Sequence, residues 1–260
     1  MAAILQTIDL KRYFGETRAV DNVSLTVNEG EFVSLVGPNG AGKTSLINVI
    51  TAHLKAESGQ VLFQGEDITS LSVTERVRRG IARSFQLVNV FDDLSTFDNV
   101  ALAIFSREGK TAHLGALAHR DKAVIAEADD ILTQFGLAAK HDDSARDLAQ
   151  GERKLLDVAL AYALKPKLLF LDEPTSGVST RNKAQIMDTI ANVVRGGGIT
   201  AVIVEHDMDV VFKYSDRIVV MAQGAVMAQG TPAEIRGNAQ VAMTLLGTSG
   251  PDAFGQDALH

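Results

Sequence analysis

Gly37-Pro38-Asn39-Gly40-Ala41-Gly42-Lys43-Thr44 is the stretch that decides how this chain is read. It fits the pattern Gly-x-x-x-x-Gly-Lys-[Ser/Thr], in which glycines free backbone N–H groups to wrap a polyphosphate at a helix N-terminus. Residues 31–36 form an apolar strand that runs straight into the stretch. Beyond Lys43 the residues Leu46, Ile47 and Ile50 change to helical spacing. Strand, loop and helix in this order make a chance glycine loop a poor explanation. Lys43 then meets the β- and γ-phosphates as a point charge, the Thr44 hydroxyl is an oxygen ligand for Mg²⁺, and Ser45 contacts the α-phosphate.

Upstream of the loop, residues 4–10 and 23–27 alternate polar and apolar side chains, the period of half-buried strands. Downstream, residues 94–137 read as a helical insert, with Val124, Ala128, Ile131, Leu132 and Phe135 at helical spacing and an interruption at residues 109–119. An amphipathic helix follows Gly151 through Leu155, Val158, Ala159 and Tyr162 to Lys165, where Pro166 stops it. Residues 168–171 read as a buried strand, 186–194 as a helix ended by Gly196-Gly197-Gly198, and 201–204 as a strand covered on both faces. Alternating helix and strand implies a parallel sheet. The expected fold is α/β with one domain over residues 1–247, a helical subdomain at about 87–165, and a poorly ordered tail at 248–260.

The strand at 168–171 ends in the carboxylate pair Asp172-Glu173, followed by Pro174. Ligands of open α/β sheets gather at such strand ends. Asp172 holds Mg²⁺ directly or through water, and Glu173 polarises an attacking water as general base. An acidic pair alone also reads as a helix cap or solvated turn; the phosphate loop in the same chain tips the balance.

Composition narrows the partners. The 260 residues are 46% hydrophobic and 22% charged, which excludes disorder, and the net charge of -7 gives no general attraction to nucleic acid. There is no cysteine, hence no disulfide, Cys-ligated metal or thiol nucleophile. Residues 1–10 lack the pattern of a signal peptide, and no run reaches the ~18 apolar residues of a membrane span. Membrane attachment is expected only through a partner. His53, His113, His119, His141 and His260 lack metal-ligand spacing and read as surface residues.

The phosphate loop, Leu168-Leu169-Phe170-Leu171-Asp172-Glu173-Pro174 and Ile203-Val204-Glu205-His206-Asp207 together resemble an ABC-type ATPase over most of the chain. The resemblance implies a P-loop NTPase fold with a RecA-like parallel-sheet core, an N-terminal antiparallel β subdomain and an α-helical subdomain. It implies that Phe14 stacks on adenine, with Tyr13 the second candidate. It implies that Gln86 reaches Mg²⁺ and the attacking water and connects to the helical insert, and that His206 hydrogen-bonds the γ-phosphate. Cofactors are ATP and Mg²⁺, and the catalytic set is Lys43, Gln86, Glu173 and His206.

The segment Leu148-Ala149-Gln150-Gly151-Glu152 departs from the family's Leu-Ser-Gly-Gly-Gln. In the family this loop presents a helix N-terminus to the nucleotide of a second subunit, so two chains enclose two nucleotides. The N–H of Gly151 and the helix dipole remain. Ala149 removes a hydroxyl whose bond to a charged group is worth about 1.5–3 kcal/mol. Ser176-Gly177-Val178-Ser179 likewise keeps the glycine of the family's Gly-Leu-Asp loop and loses the aspartate. These departures suggest a subunit paired with a related but different ATPase.

Ser84-Phe85-Gln86-Leu87-Val88-Asn89-Val90-Phe91, the long insert and Leu245-Leu246-Gly247 are most similar to the ATPases of branched-chain amino acid and urea or amide uptake systems. That likeness implies a second ATPase subunit, two integral permease subunits, a solute-binding protein, and a place on the cytoplasmic face of the membrane. Val88, Val90, Phe91 and Leu94 form either a surface covered by a permease helix or packing within the insert. A soluble ABC ATPase acting on DNA or in translation is disfavoured by the single cassette and the absence of sustained heptads. A small-molecule kinase leaves residues 148–152 and His206 unexplained.

Overall fold

The computed structural model describes residues 2–84, 90–110, 121–247 and Phe254. The chain opens with β1 (Ala3–Phe14), β2 (Thr17–Asn28), β3 (Phe32–Val36), α1 (Lys43–Ile50), β4 (Ser58–Phe63), β5 (Glu66–Asp67) and α2 (Val73–Arg79). It continues through β6 (Ile81–Arg83), α3 (Thr96–Arg107), α4 (Lys122–Gln134), α5 (Gln150–Ala163), β7 (Leu168–Asp172) and α6 (Thr180–Gly196). It closes with β8 (Thr200–Val204), α7 (Met208–Tyr214), β9 (Arg217–Ala222), β10 (Ala225–Gly230), α8 (Pro232–Arg236) and α9 (Ala239–Leu246). These elements form two compact units, one of residues 1–76 with 200–260 and one of residues 77–199.

In the first unit, β2, β1, β4 and β5 make an antiparallel sheet, and β3 lies parallel to both β8 and β9, with β10 antiparallel on the far side of β9. The burial patterns explain the difference. β2 alternates buried and exposed residues from Val23 to Val27 and β1 mixes the two without a strict period, as strands with one wet face do, whereas all five residues of β3 and of β8 are buried. Asp9 and Asn22, at φ +45° and +51°, mark breaks in the β1–β2 alternation that the sequence period does not announce. Arg217 fixes β9 against the start of β3 by donating from Nε to Glu31 Oε1 at 2.5 Å and from Nη2 to Glu31 Oε2 at 3.0 Å. Burial pushes the Glu31 carboxyl up, but the bonds from Arg217 and Asn28 outweigh it and hold the group below its ordinary value.

In the second unit β6 and β7 pair in parallel, Ile81 opposite Leu168 and Arg83 opposite Phe170. Leu168, Leu169 and Leu171 are fully buried, each contributing about 1.5–3 kcal/mol relative to exposure. Arg107, in the last turn of α3, donates to both carboxylate oxygens of Glu127 on α4 and to the Ala163 carbonyl at the end of α5. One guanidinium thereby ties three helices. Ser95 caps α3 and Asp121 caps α4 by accepting first-turn backbone N–H groups.

Two helix ends differ from expectation. α5 stops at Ala163 rather than Lys165, because Lys165 takes φ +52° before Pro166, where the helical region is sterically disfavoured. α6 starts at Thr180, a full six residues before Ile186, because residues 180–185 are helical but carry no apolar face. In the expected tail, Phe254 packs edge-on against Phe212 with centroids 5.2 Å apart, and its neighbours lie outside the described residues. His141 is not a simple surface residue: its ring stacks on buried Phe97 at 4.5 Å.

Candidate nucleotide site

In the first unit the Gly37–Thr44 loop joins β3 to α1. Gly42 caps the helix in the left-handed region, at φ +100°, and its carbonyl accepts Leu46 N–H at 2.8 Å. A Cβ at Gly42 would lie 2.1 Å from the Ala19 carbonyl oxygen, whereas one at Gly40, φ +79°, would meet nothing within 4 Å. Gly42→Ala is therefore expected to cost several kcal/mol through strain plus a backbone clash, and Gly40→Ala only the ~1–2 kcal/mol of the strain. Thermal melting of the two variants checks this; equal melting temperatures would contradict it.

Lys43 is buried, and its Nζ donates to the carbonyls of Gly37 at 2.6 Å and Pro38 at 3.1 Å. The ammonium thus sits on the loop that the motif assigns to phosphates. Pro38, Asn39 and Gly40 are exposed, Ala41 is buried, Thr44 is exposed and Ser45 is half-buried. β3 and β8 are parallel with Leu35 beside Val204, so the loop and His206 leave the carboxyl ends of neighbouring strands. His206 is exposed, and its N–H donates to Oε2 of buried Glu205 at 3.1 Å.

At the end of β1, Phe14 is 46% exposed, with the Arg12 guanidinium 4.7 Å from its ring centroid. Tyr13 is committed elsewhere. Its hydroxyl donates to Asp21 Oδ1 at 2.6 Å, a bond that raises the phenol above its ordinary value. Phe14 is the ring that offers an accessible π-face.

In the second unit β7 delivers Asp172 and Glu173. Asp172 is 2% exposed; its Oδ2 accepts Arg83 Nη2 at 2.6 Å, while its Oδ1 is buried with no hydrogen-bond partner. A buried carboxylate oxygen without a donor suits a hard cation. Among the described residues no group of three or more His, Cys, Asp or Glu could form a metal cage. Glu173 takes φ +47°, a strained value for a non-glycine residue. Its carbonyl accepts both the Lys154 ammonium at 3.2 Å and the Ser176 N–H at 3.1 Å, which hold the bend.

Ala149 is the N-cap of α5, and its own N–H donates to Glu152 Oε2 at 2.8 Å. Half of a capping box survives; the half that needs a cap hydroxyl is lost with the serine. Gly177, at φ +76°, lies so close to the Gln150 side-chain amide that a Cβ would come within 2.1 Å of its nitrogen. The segments at residues 148–152 and 176–179 therefore meet at Gln150 and Gly177. Ser179 is the N-cap residue of α6.

Gln86, with Leu87, Val88 and their neighbours at 85–89, lies outside the described residues. Of the expected apolar surface, Phe91 is 58% exposed and Val90 and Leu94 are half-buried. Buried Asn99 clamps Phe91 from both sides, accepting its N–H at 2.8 Å and donating to its carbonyl at 3.1 Å. Phe91 borders a groove of about 390 Å³ with Leu102, Ala103, Leu160 and Leu164. Asn99, Arg83 and Lys154 belong to none of the motifs quoted from the sequence. The last two carry a signal in retrospect, since a lone charge in an apolar strand or on the buried face of a helix needs a partner.

A phosphate loop between a buried strand and a helix, on a mixed α/β frame, defines a nucleotide-binding protein of the phosphate-loop class. Residues 20–176 match the family model described as ABC transporter. The high-affinity branched-chain amino acid transport ATP-binding protein LivG of Salmonella typhimurium is 34% identical over 94% of this chain and 98% of its own. A solved ADP conformation of an ATP-binding cassette of an ABC transporter superposes with TM-score 0.83 at 32% identity, over 95% of this chain and all of that one. A dimeric post-hydrolysis cassette bound to ADP and phosphate gives 0.74 at 25% identity, over 88% and 98%. The chain belongs to the ABC transporter ATP-binding family and is an ATP-hydrolysing subunit of a transporter. Among the described residues no helix is long and apolar enough to cross a membrane.

Proposed function

We propose that this subunit drives uptake of branched-chain amino acids, or of a related small polar solute such as urea or an amide, from the cytoplasmic face of the membrane. The observation that carries the reading is the 34% identity to LivG over nearly the full length of both chains. Two permease subunits supply the path, a solute-binding protein delivers the cargo, and a second ATPase subunit completes the nucleotide sites. The clamped, exposed Phe91 and its groove are where a permease helix docks.

Within the site, Phe14 stacks on adenine, and the backbone from Gly37 to Gly42 with Lys43 and Ser45 holds the phosphates. Thr44, Asp172 and Gln86 hold Mg²⁺, which neutralises charge on the phosphates when bound. Glu173 takes the proton of the attacking water, and His206 senses the γ-phosphate. Ala149, Gln150, Gly151 and Glu152 present the start of α5 to the nucleotide of the second subunit. Because Ala149 and Ser179 weaken that contribution, the second subunit is a related but different ATPase. The test is purification from membranes: integral membrane proteins and a second ATPase are expected to accompany this chain, and the complex to hydrolyse ATP faster per site than the chain alone. Equal rates, or no membrane partner, would overturn the assignment.

A further inference from the structure

Asp172 and Arg83 form a buried ion pair that the nucleotide chemistry described above does not use. The guanidinium comes from the last residue of β6 and the carboxylate from the last residue of β7, two parallel neighbours, and their side chains are 8% and 2% exposed. A charge pair at this depth pays a desolvation cost that an apolar pair would avoid. The pairing is also lopsided. Arg83 Nη2 holds Oδ2 at 2.6 Å, and Oδ1 of the same carboxylate is buried with no donor at all. An aspartate carboxylate turns easily about its last bond, so an unrestrained Asp172 could present either oxygen, or both, in several orientations. The bond to Arg83 removes that freedom.

We infer that Arg83 is a positioning residue for the cation: by pinning Oδ2 it fixes Oδ1 of Asp172 as the single carboxylate oxygen offered to the divalent metal that accompanies ATP. The inference rests on the proposed role of Asp172 in holding Mg²⁺. Because Arg83 carries a full positive charge, pure electrostatics makes the opposite forecast. A cation should bind more tightly once a neighbouring guanidinium is gone. The sign of the change therefore separates positioning from simple charge.

The experiment measures Mn²⁺, a paramagnetic substitute for Mg²⁺, bound to the full-length chain with ATP by the loss of the free-ion resonance. Metal-free ATP binding in EDTA is titrated in parallel. Arg83→Gln is expected to weaken Mn²⁺ about tenfold while metal-free ATP affinity stays within twofold. Arg83→Lys, which keeps a donor and the charge, should recover part of the loss. The double variant Arg83→Gln with Asp172→Asn replaces the ion pair by two amides and should remain folded, with Mn²⁺ as weak as in Asp172→Asn alone. That variant keeps the comparison readable if Arg83→Gln is unstable. Unchanged or tighter Mn²⁺ binding in Arg83→Gln, or tighter binding in the double variant than in Asp172→Asn alone, with Asp172→Asn itself weakened, would overturn the role of Arg83 and leave Asp172 as a ligand. Unchanged Mn²⁺ binding in Asp172→Asn would overturn the metal role of Asp172 and this inference with it.

Discussion

Glu173→Gln is expected to bind MgATP as the unmodified chain does and to lose turnover by about 10²–10⁴-fold, the usual contribution of a positioned general base. The structure explains why binding and folding should survive. The bend at Glu173, φ +47°, is held through its carbonyl by Lys154 and the Ser176 N–H, and neither bond involves the side chain being replaced. Glutamine keeps the volume and polarity of the side chain but takes up no proton at neutral pH. Phosphate release and a nucleotide titration on the same preparation measure the two effects separately. A variant that binds but does not turn over should also accumulate in the ATP-bound assembly with its partner subunit. Undiminished hydrolysis would remove Glu173 as the base.

Lys43→Ala should act on the other side of the same division, losing nucleotide affinity rather than turnover alone. Its ammonium is buried and bonded to the carbonyls of Gly37 and Pro38, so the charge is already placed on the loop before any phosphate arrives. A bond to a charged group is worth about 1.5–3 kcal/mol, and the lysine meets more than one phosphate oxygen. The expected loss is therefore about 100-fold or more in ATP affinity. Calorimetric titration of the variant checks it, and an unchanged affinity would mean that the Gly37–Thr44 loop is not the phosphate site.

These two residues were legible in the sequence because their chemistry depends on local order. A glycine loop set between a strand and a helix, and a carboxylate pair ending an apolar strand, each carry their meaning in consecutive residues. Arg83 and Asp172 are 89 positions apart, and nothing local says that they meet. The same holds for Lys154 and the Glu173 carbonyl, and for Gly177 against Gln150. Such pairs are set by the parallel register of β6 with β7 and by the packing of α5, which hydrophobic period alone does not determine.

The fold divides in the same way. β3, β7 and β8 announce themselves as uninterrupted apolar runs, and α4 by its apolar spacing. The first turns of α6 are invisible to that test, because Thr180, Arg181, Asn182 and Lys183 show no buried stripe. β4 and β5 escaped as well, β4 being short and Gly-containing and β5 only two exposed residues long. The breaks at Asp9 and Asn22 rest on backbone angles that no period records.

We propose that this chain hydrolyses ATP only when a second ATPase subunit completes its site. Sedimentation and phosphate release measured on the same samples, in saturating MgATP, test it most directly. The chain by itself should be nearly inactive, and the rate per chain should rise in step with the fraction paired with the added partner ATPase. A monomer that releases phosphate at the per-site rate of the assembled complex would contradict the account.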